Sequence, residues 1–241
     1  MKRTVIVLIL LFLTINAFAV DFSISAGAGG LLGYTFTRYT MEGGNFISTQ
    51  NMDRFDYAGF VFVDFTYAEL AVMYKGGNNT YSEDMIIDND ALADDKGAGS
   101  ETSLGISLLG KFPFKVDERF SWFPMLGIEY QIALKQVRAP EDGLLYDRSK
   151  GHTPEDRDKN DDPYPLSAWN SFWINVGAGV DFYIYNSIFL RSELLFGFRL
   201  PTEYELGALE KVKAPPINIK DPTLSGLTGS PMLKIGVGYR F

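Results

Sequence analysis

Apolar and polar residues alternate with a period of two in eight separate segments of the chain. In the first segment the even positions from Phe22 to Phe36 are mostly apolar, whereas the odd positions, apart from Leu31, are serine, threonine or glycine. A period of two is the repeat of a β-strand, whose successive side chains point to opposite faces. Both faces of the second segment are apolar, so its register stays open. The predicted strands are 22–37, 57–65, 68–74, 103–112, 121–134, 172–182, 188–199 and 233–241.

The connections between these segments differ in length in a regular way. Short links near 64–67, 113–119 and 185–187 alternate with long polar stretches at 38–55, 76–101, 135–170 and 201–230. Short turns at one end and long loops at the other are typical of a transmembrane β-barrel, in which every backbone polar group must pair within the protein. We therefore predict an all-β fold, an eight-stranded antiparallel up-and-down transmembrane β-barrel with long extracellular loops and short periplasmic turns. A soluble secreted β-sandwich is the alternative.

The amino terminus has the layout of a secretory signal. Lys2 and Arg3 precede an apolar stretch over residues 5–15, and Ala17-Phe18-Ala19 supplies the small residues that a signal peptidase reads. We expect residues 1–19 to form a cleaved signal peptide and residues 20–241 to form the barrel, which makes the protein an exported one. An uncleaved membrane anchor is the alternative.

Composition excludes several classes of function. The chain has 22 Lys+Arg against 30 Asp+Glu and a net charge of −8, which argues against a nucleic-acid partner. It contains no Cys and a single His, His152, in a predicted loop, so neither a catalytic triad nor a His or Cys metal site is expected. We predict a protein that is not an enzyme and uses no cofactor or metal.

The last strand ends on an aromatic residue with apolar residues at alternate positions before it, namely Leu233, Ile235, Val237, Tyr239 and Phe241. This pattern resembles the terminal-strand assembly signal of outer-membrane proteins. The chain resembles the small eight-stranded outer-membrane barrels, a class that includes the membrane domain of OmpA, OmpX and OmpW, and its length is closest to OmpW. The resemblance implies a multi-pass protein of the bacterial outer membrane. Its implied partners are the lipid bilayer, the β-barrel assembly machinery and periplasmic chaperones.

The face of the strands that points away from lipid carries charges of both signs. Buried charges are tolerated when they are paired, so an ionic plug inside the barrel is expected, serving either structural packing or the gating of an ion path. The glycines in 27–33 are expected to make room for bulky inward residues such as Phe189 or Trp173. The predicted plug residues are Glu69, Lys111, Glu129, Asp181, Arg191, Glu193, Arg199, Lys234 and Arg240.

Three inward apolar residues, Met73, Trp173 and Met232, are expected near the long-loop ends, with Val61 added if the second strand has the matching register. They predict an apolar lining at the lumen mouth that either holds a hydrophobic ligand or only fills the core. The OmpW resemblance implies passage of small hydrophobic compounds. The predicted function is therefore a porin-like, OmpW-like protein that binds or passes such solutes. The alternative is a closed structural barrel whose acidic loops, such as 76–101, contact a host or neighbouring surface.

Overall fold

The computed structural model describes residues 22–44, 46–87, 90–140, 146–147, 166–202, 205 and 222–241. The predicted signal peptide and His152 lie outside these residues. Over the described ranges, no helix is long and apolar enough to cross a membrane. The chain there forms a 3-10 helix at Leu166–Trp169 and ten strands: β1 Ser25–Gly43, β2 Phe46–Asp64, β3 Ala68–Ile87, β4 Asp90–Lys111, β5 Phe114–Lys115, β6 Phe120–Pro140, β7 Tyr146–Asp147, β8 Ser171–Tyr183, β9 Ile188–Arg199 and β10 Thr223–Arg240.

Eight of these strands form a closed antiparallel ring. Their order around the ring is β1, β2, β3, β4, β6, β8, β9 and β10, and the ring closes where β10 pairs with β1. The short strands β5 and β7 pair with β6 near its two ends. The predicted eight-stranded antiparallel barrel is therefore confirmed.

Side chains on the barrel strands alternate between a buried inner face and an exposed outer face. The outer face carries large apolar residues such as Val61, Leu126, Leu194 and Ile235, each more than half exposed. So much exposed apolar surface is incompatible with water and matches the hydrocarbon of a bilayer. Exposed aromatic side chains border this band at both ends, as in interfacial girdles. They are Phe22, Phe65, Phe112, Trp122, Phe182, Tyr239 and Phe241 at one end and Tyr34, Phe55, Tyr57, Tyr74, Tyr130, Phe172 and Phe198 at the other.

The strands extend much further beyond the lipid-facing band at one end of the barrel than at the other. At the end where they extend less, here called the turn end, residues 65–67 and 184–187 make tight connections, as predicted. At the other, the hairpin end, β1 to β4 run for 19–22 residues. A membrane-spanning strand needs about 9–11 residues, so about half of each of these strands continues beyond the hydrocarbon. Strands β8 and β9, with 13 and 12 residues, stop much earlier.

The prediction of long loops at 38–55 and 76–101 was wrong in this respect. Residues 36–43 pair with 46–53, and residues 76–87 pair with 90–102, as regular antiparallel hairpins. The apolar alternation that marks a strand in sequence stops where the strand leaves the bilayer, because neither face then has to be apolar. Backbone pairing continues regardless of that pattern.

The register of β2 also differs from the one that would have placed Val61 inside the lumen. Val61 points to lipid and is more than half exposed, whereas Phe60 and Phe62 are buried in the lumen. The physical reason is space on the neighbouring strand. A Cβ on Gly27 would lie 2.5 Å from the Phe62 ring, and one on Gly29 would lie 2.8 Å from the Phe60 ring. These glycines accommodate Phe62 and Phe60, and the expectation that they accommodate Phe189 or Trp173 was wrong.

Candidate functional site

Aromatic rings fill the lumen at the turn end. Phe62, Phe123 and Phe189 are buried there, together with an inward-facing Tyr183 whose ring centroid lies 5.4 Å from that of Phe189. Glycines on adjacent strands leave the room that these rings occupy. A Cβ on Gly238 would come within 2.2 Å of the Phe189 ring. The floor of the lumen is therefore packed with side chains.

Arg191 lies at the centre of this aromatic floor. Its guanidinium group lies 4.8–5.2 Å from the ring centroids of Phe62, Phe123 and Phe189, within range of cation–π attraction. The same group makes two bonds of 2.7 Å to the two carboxylate oxygens of Asp181. A planar guanidinium is suited to such bidentate pairing.

Two further carboxylates complete the coordination of Arg191. One guanidinium nitrogen donates to Glu69 at 2.7 Å, and another lies 2.6 Å from Asp64. Asp64 also accepts a bond from Lys111. In addition, the Asp64 carboxylate accepts a bond of 2.8 Å from the backbone N–H of Thr66, a residue with a positive φ of 68° in the β2–β3 turn. The plug thereby holds the turn that closes the barrel end.

Lys234 connects Glu193 to the group of charged residues around Arg191. Its ammonium group donates to Glu69 at 3.1 Å and to Glu193 at 2.9 Å. All seven side chains are at most 4% exposed. We define the plug as Asp64, Glu69, Lys111, Asp181, Arg191, Glu193 and Lys234. It holds four carboxyl groups and three cations on six different strands, so it crosslinks the inside of the barrel.

Six of the nine residues predicted for the plug lie in it, namely Glu69, Lys111, Asp181, Arg191, Glu193 and Lys234. Glu129 is buried nearer the hairpin end, where it pairs with Lys75 at 2.5 Å. Arg199 lies at the lumen mouth. Arg240 is exposed at the turn end, with its guanidinium 5.0 Å from the Tyr183 ring centroid, so its assignment to a buried plug was wrong.

A group of buried apolar side chains, here called the apolar layer, packs against the plug and extends from it toward the hairpin end. Met73 and Met232 belong to it and are at most 4% exposed. The other members of the layer are Leu31, Leu109, Met125 and Leu195, and all six belong to one buried cluster that also includes the floor aromatics. Because this layer fills the middle of the lumen, the expectation of an apolar lining at the mouth was wrong for Met73 and Met232.

Polar side chains fill the lumen above the apolar layer. Glu129 accepts bonds from Lys75 at 2.5 Å, Gln131 at 2.7 Å and Asn175 at 3.2 Å. Trp173 lies at this level, across the sheet from Glu129, and donates from its indole nitrogen to Ser171 at 2.9 Å. Trp173 is buried between these polar groups and Met232, since Asn175, the Trp173 ring and Met232 all lie close to Gly197.

Among the described residues, three more ion pairs lie at the mouth of the lumen. Arg54 lies 2.6 Å from Asp56 and 2.5 Å from Glu101, which links β2 to β4. On the opposite side Arg199 pairs with Glu205, whose other oxygen accepts the backbone N–H of Thr202 at 2.7 Å. The segment that leaves β9 is thus held against the inside of the mouth.

Several important residues escaped the sequence interpretation. Asp64 was placed in a short link, and Arg54 fell in the predicted loop 38–55. Asp56 and Lys75 were left unassigned. The parity of β2 was the available signal, because Arg54, Asp56 and Asp64 all share the face of Phe60 and Phe62. Charged residues at every second position directly before an apolar strand indicate that the strand begins earlier in the sequence.

The residues of the predicted assembly signal lie on the outer face of β10 or just after it. Leu233, Ile235, Val237 and Tyr239 are exposed to the lipid side, and Phe241 is the most exposed aromatic residue of this end. Phe241 is tied to the start of the barrel, because its backbone N–H donates to the carbonyl of Ile24 at 2.9 Å. Recognition of this segment by an assembly machinery stays a prediction.

The closed ring and its lipid-facing exterior define the chain as a small eight-stranded transmembrane β-barrel protein. No protein-family model matches it, and no curated protein sequence matches it. Three solved structures similar to it are those of outer membrane proteins. The protease OmpT from Escherichia coli is 10% identical with a TM-score of 0.39, over 92% of this chain and 99% of that one.

The other two structures match at the same level. The outer membrane protein OprG from Pseudomonas aeruginosa is 12% identical with a TM-score of 0.38, over 90% of this chain and 97% of that one. Neisserial surface protein A is 11% identical with a TM-score of 0.38, over 89% of this chain and 99% of that one. Similarity at this level assigns no activity to the chain.

Proposed function

We propose that this protein is a sealed barrel of the bacterial outer membrane that holds its long β-hairpins outside the cell, where they contact a neighbouring or host surface. The observation that carries the proposal is the contrast between the two halves of the molecule. The lumen is filled by three successive layers of side chains, whereas β1 to β4 continue far beyond the aromatic girdle. The signal peptide and the terminal strand pattern predicted from sequence support the outer-membrane location.

The layers in the lumen oppose ion conduction for different reasons. Moving an ion through the plug requires separating buried charges from their partners, which costs several kcal/mol for each pair. Passing the apolar layer requires an ion to lose its hydration without receiving any polar partner. Because buried apolar side chains also lie outside the plug, opening the plug alone leaves them in the path of an ion.

The protruding β3–β4 hairpin is acidic near its tip. The β3–β4 hairpin carries Glu83, Asp84, Asp90, Asp94 and Asp95 against Lys96. Like charges repel anionic surfaces, and they attract basic ones or bind anionic ones through divalent cations. We therefore propose that the contacts formed by this hairpin weaken as ionic strength rises.

The test replaces the tip of the β3–β4 hairpin, residues 82–96, by a two-residue turn. The cut removes paired backbone from both strands equally, so the rest of the register is kept. We expect the shortened protein to form a barrel that migrates differently before and after boiling on a detergent gel. Cells that carry it should adhere less to a basic surface than cells with the full chain. Adhesion equal to that of the full chain would contradict the proposal, and a matched cut at the β1–β2 tip separates the two hairpins.

A second candidate function is passage of small hydrophobic solutes, as proposed for an OmpW-like protein. Its support is the composition of the apolar layer, which holds three methionines, Met73, Met125 and Met232. Methionine is unbranched and adapts its shape easily. If these side chains move aside for a solute, replacing Trp173 by Ala next to them should abolish uptake of an apolar dye into proteoliposomes. Normal uptake by that variant, or no uptake by the wild type, would contradict this second function.

We further propose that the barrel has no catalytic role. The carboxylates that could serve as acids or bases, such as Glu69, Glu129 and Asp181, are held in ion pairs inside the lumen. One of the similar structures is a protease, and that activity is a property of that protein. Incubation of the refolded chain with a panel of peptides and phospholipids tests this part of the proposal, because any turnover would contradict it.

A further inference from the structure

The outer wall of the barrel has a groove that opens toward the lipid. It lies across β10, β1 and β2 and has a volume of about 390 Å³. Gly30 on β1 belongs to its lining, and Gly59 is the residue paired with Gly30 on β2. Its sides are apolar and include Leu32, Leu233 and Ile235. The groove therefore lies inside the band that faces hydrocarbon.

The backbone and its neighbours keep this groove open. A Cβ placed on Gly59 would meet no atom within 4 Å, and one on Gly30 would meet only a backbone oxygen at 3.8 Å. Tyr57, at the edge of the groove, has its ring laid over Gly76, where an added Cβ would come within 2.8–2.9 Å of that ring. Gly76 thus holds the Tyr57 ring to the β3 side. The space that remains has an apolar lining, which suits an extended acyl chain.

The same two strands carry polar groups further along, toward the hairpin end. Toward the hairpin end the outward positions continue through Tyr34 and Phe55 to Arg38 and Asp53. Arg38 donates to both carboxylate oxygens of Asp53, at 2.7 and 2.9 Å, and also to two backbone carbonyls. Both side chains are at least one-third exposed. The outward neighbours of Asp53 and Phe55 on β3 are Thr80 and Asn78.

These groups select the kind of headgroup that fits. The Arg38–Asp53 pair is neutral as a unit, so it offers little net attraction to a phosphate. It does present donors and acceptors side by side, as do Thr80 and Asn78, and each hydroxyl of a sugar is both a donor and an acceptor. The exposed Phe55 ring lies between the pair and the groove and offers an apolar face to the carbon atoms of a sugar ring.

We propose that the β1–β2 outer wall is a binding site for a glycolipid, with one acyl chain in the groove and the sugar headgroup on the Arg38–Asp53 pair. The site is continuous with the surface that already faces the bilayer, so its occupant has to be a molecule of the membrane. The proposal rests on the membrane-spanning fold and is independent of what the hairpins contact.

The experiment uses the refolded chain in detergent micelles and native mass spectrometry. The probes are digalactosyl diacylglycerol and phosphatidylglycerol with identical acyl chains. We expect the wild type to retain the galactolipid about tenfold more strongly than the anionic phospholipid, a difference of about 1.4 kcal/mol. Equal retention of the two lipids would overturn the headgroup assignment and with it the proposal.

Two variants locate the site. Gly30→Leu places a side chain in the groove, where an added Cβ meets only a backbone oxygen at 3.8 Å, and it should reduce galactolipid retention about tenfold. Its matched control is Gly110→Leu, at another glycine of the outer face whose added Cβ meets only a backbone oxygen at 3.5 Å. Equal retention by both variants would overturn the proposal. If Gly30→Leu fails to show the gel mobility of a folded barrel, Gly30→Val provides the same comparison with a smaller side chain.

A third variant tests the ion pair. Asp53→Ala leaves the Arg38 guanidinium without its carboxylate partner, so an unpaired cation then lies above the groove. We expect the preference to shift toward phosphatidylglycerol, because a free guanidinium attracts phosphate. A preference that stays unchanged in Asp53→Ala would show that the pair does not touch the headgroup, which contradicts the proposed arrangement.

Discussion

Replacing Arg191 by methionine tests whether the plug stabilises the barrel. Methionine keeps much of the length and apolar volume of the side chain and removes its charge. Three carboxylates lie within 2.7 Å of Arg191, and they differ in whether another cation remains beside them after the substitution. Asp64 keeps Lys111 and Glu69 keeps Lys234, whereas among the ion pairs of the described residues Asp181 has only Arg191. The variant therefore leaves one buried carboxylate without a partner.

The size of the effect follows from that unpaired group. Removing one partner of a buried ion pair costs about 3–5 kcal/mol, because the remaining charge stays buried without compensation. The three aromatic rings around the guanidinium add cation–π attraction that methionine lacks. We expect the free energy of unfolding to fall by about 3–5 kcal/mol.

The assay is urea unfolding of the refolded barrel in lipid vesicles, followed by tryptophan fluorescence. The control is Arg38→Met, which breaks an exposed ion pair and should cost about 0.2–1 kcal/mol. The double variant Arg191→Met/Asp181→Leu removes the unpaired carboxylate and should recover much of the loss. If Arg191→Met costs no more than Arg38→Met, or if the double variant is less stable than the single one, the described role of the plug is wrong.

Three further predictions concern the lumen. The wild type and Arg191→Ala should both show no conductance in planar bilayers, because the apolar layer remains closed in the variant. Discrete conductance steps in Arg191→Ala alone would show that the plug is the only seal. Gly238→Ala should lower the free energy of unfolding by about 1–3 kcal/mol, because the added Cβ overlaps the Phe189 ring, whereas Gly59→Ala should be neutral in the same urea titration. Lys75→Met should cost less than Arg191→Met in that titration, because Gln131 and Asn175 still donate to Glu129, and an equal or larger cost would refute the assignment of those bonds.

The sequence by itself determined the number of barrel strands and the face of most of them. Each strand must present apolar groups to lipid at every second position, and this requirement is local, so the pattern is visible without knowing any neighbour. The same parity placed Glu69, Arg191 and Lys234 on the inner face. The short turns were visible for a similar reason, since they interrupt the alternation for only a few residues.

The tertiary structure alone decided which inward charges meet. The strands are staggered around the ring, so Arg191 on β9 reaches Asp64 and Glu69 on the far side of the barrel, and no spacing along the chain encodes that distance. The stagger also put Met73 and Met232 in the middle of the lumen rather than at its mouth.

The hairpins and the register of β2 were also decided by contacts between strands and not by the sequence pattern. Outside the bilayer, strand pairing is held by backbone bonds and needs no apolar pattern, so residues 38–55 and 76–101 carry no strong strand signal. In β2 both faces are apolar, and the choice between Val61 and Phe62 depended on the space that Gly27 leaves on the next strand. Local chemistry set what each position faces, and packing between strands that are distant in sequence set which residues are neighbours.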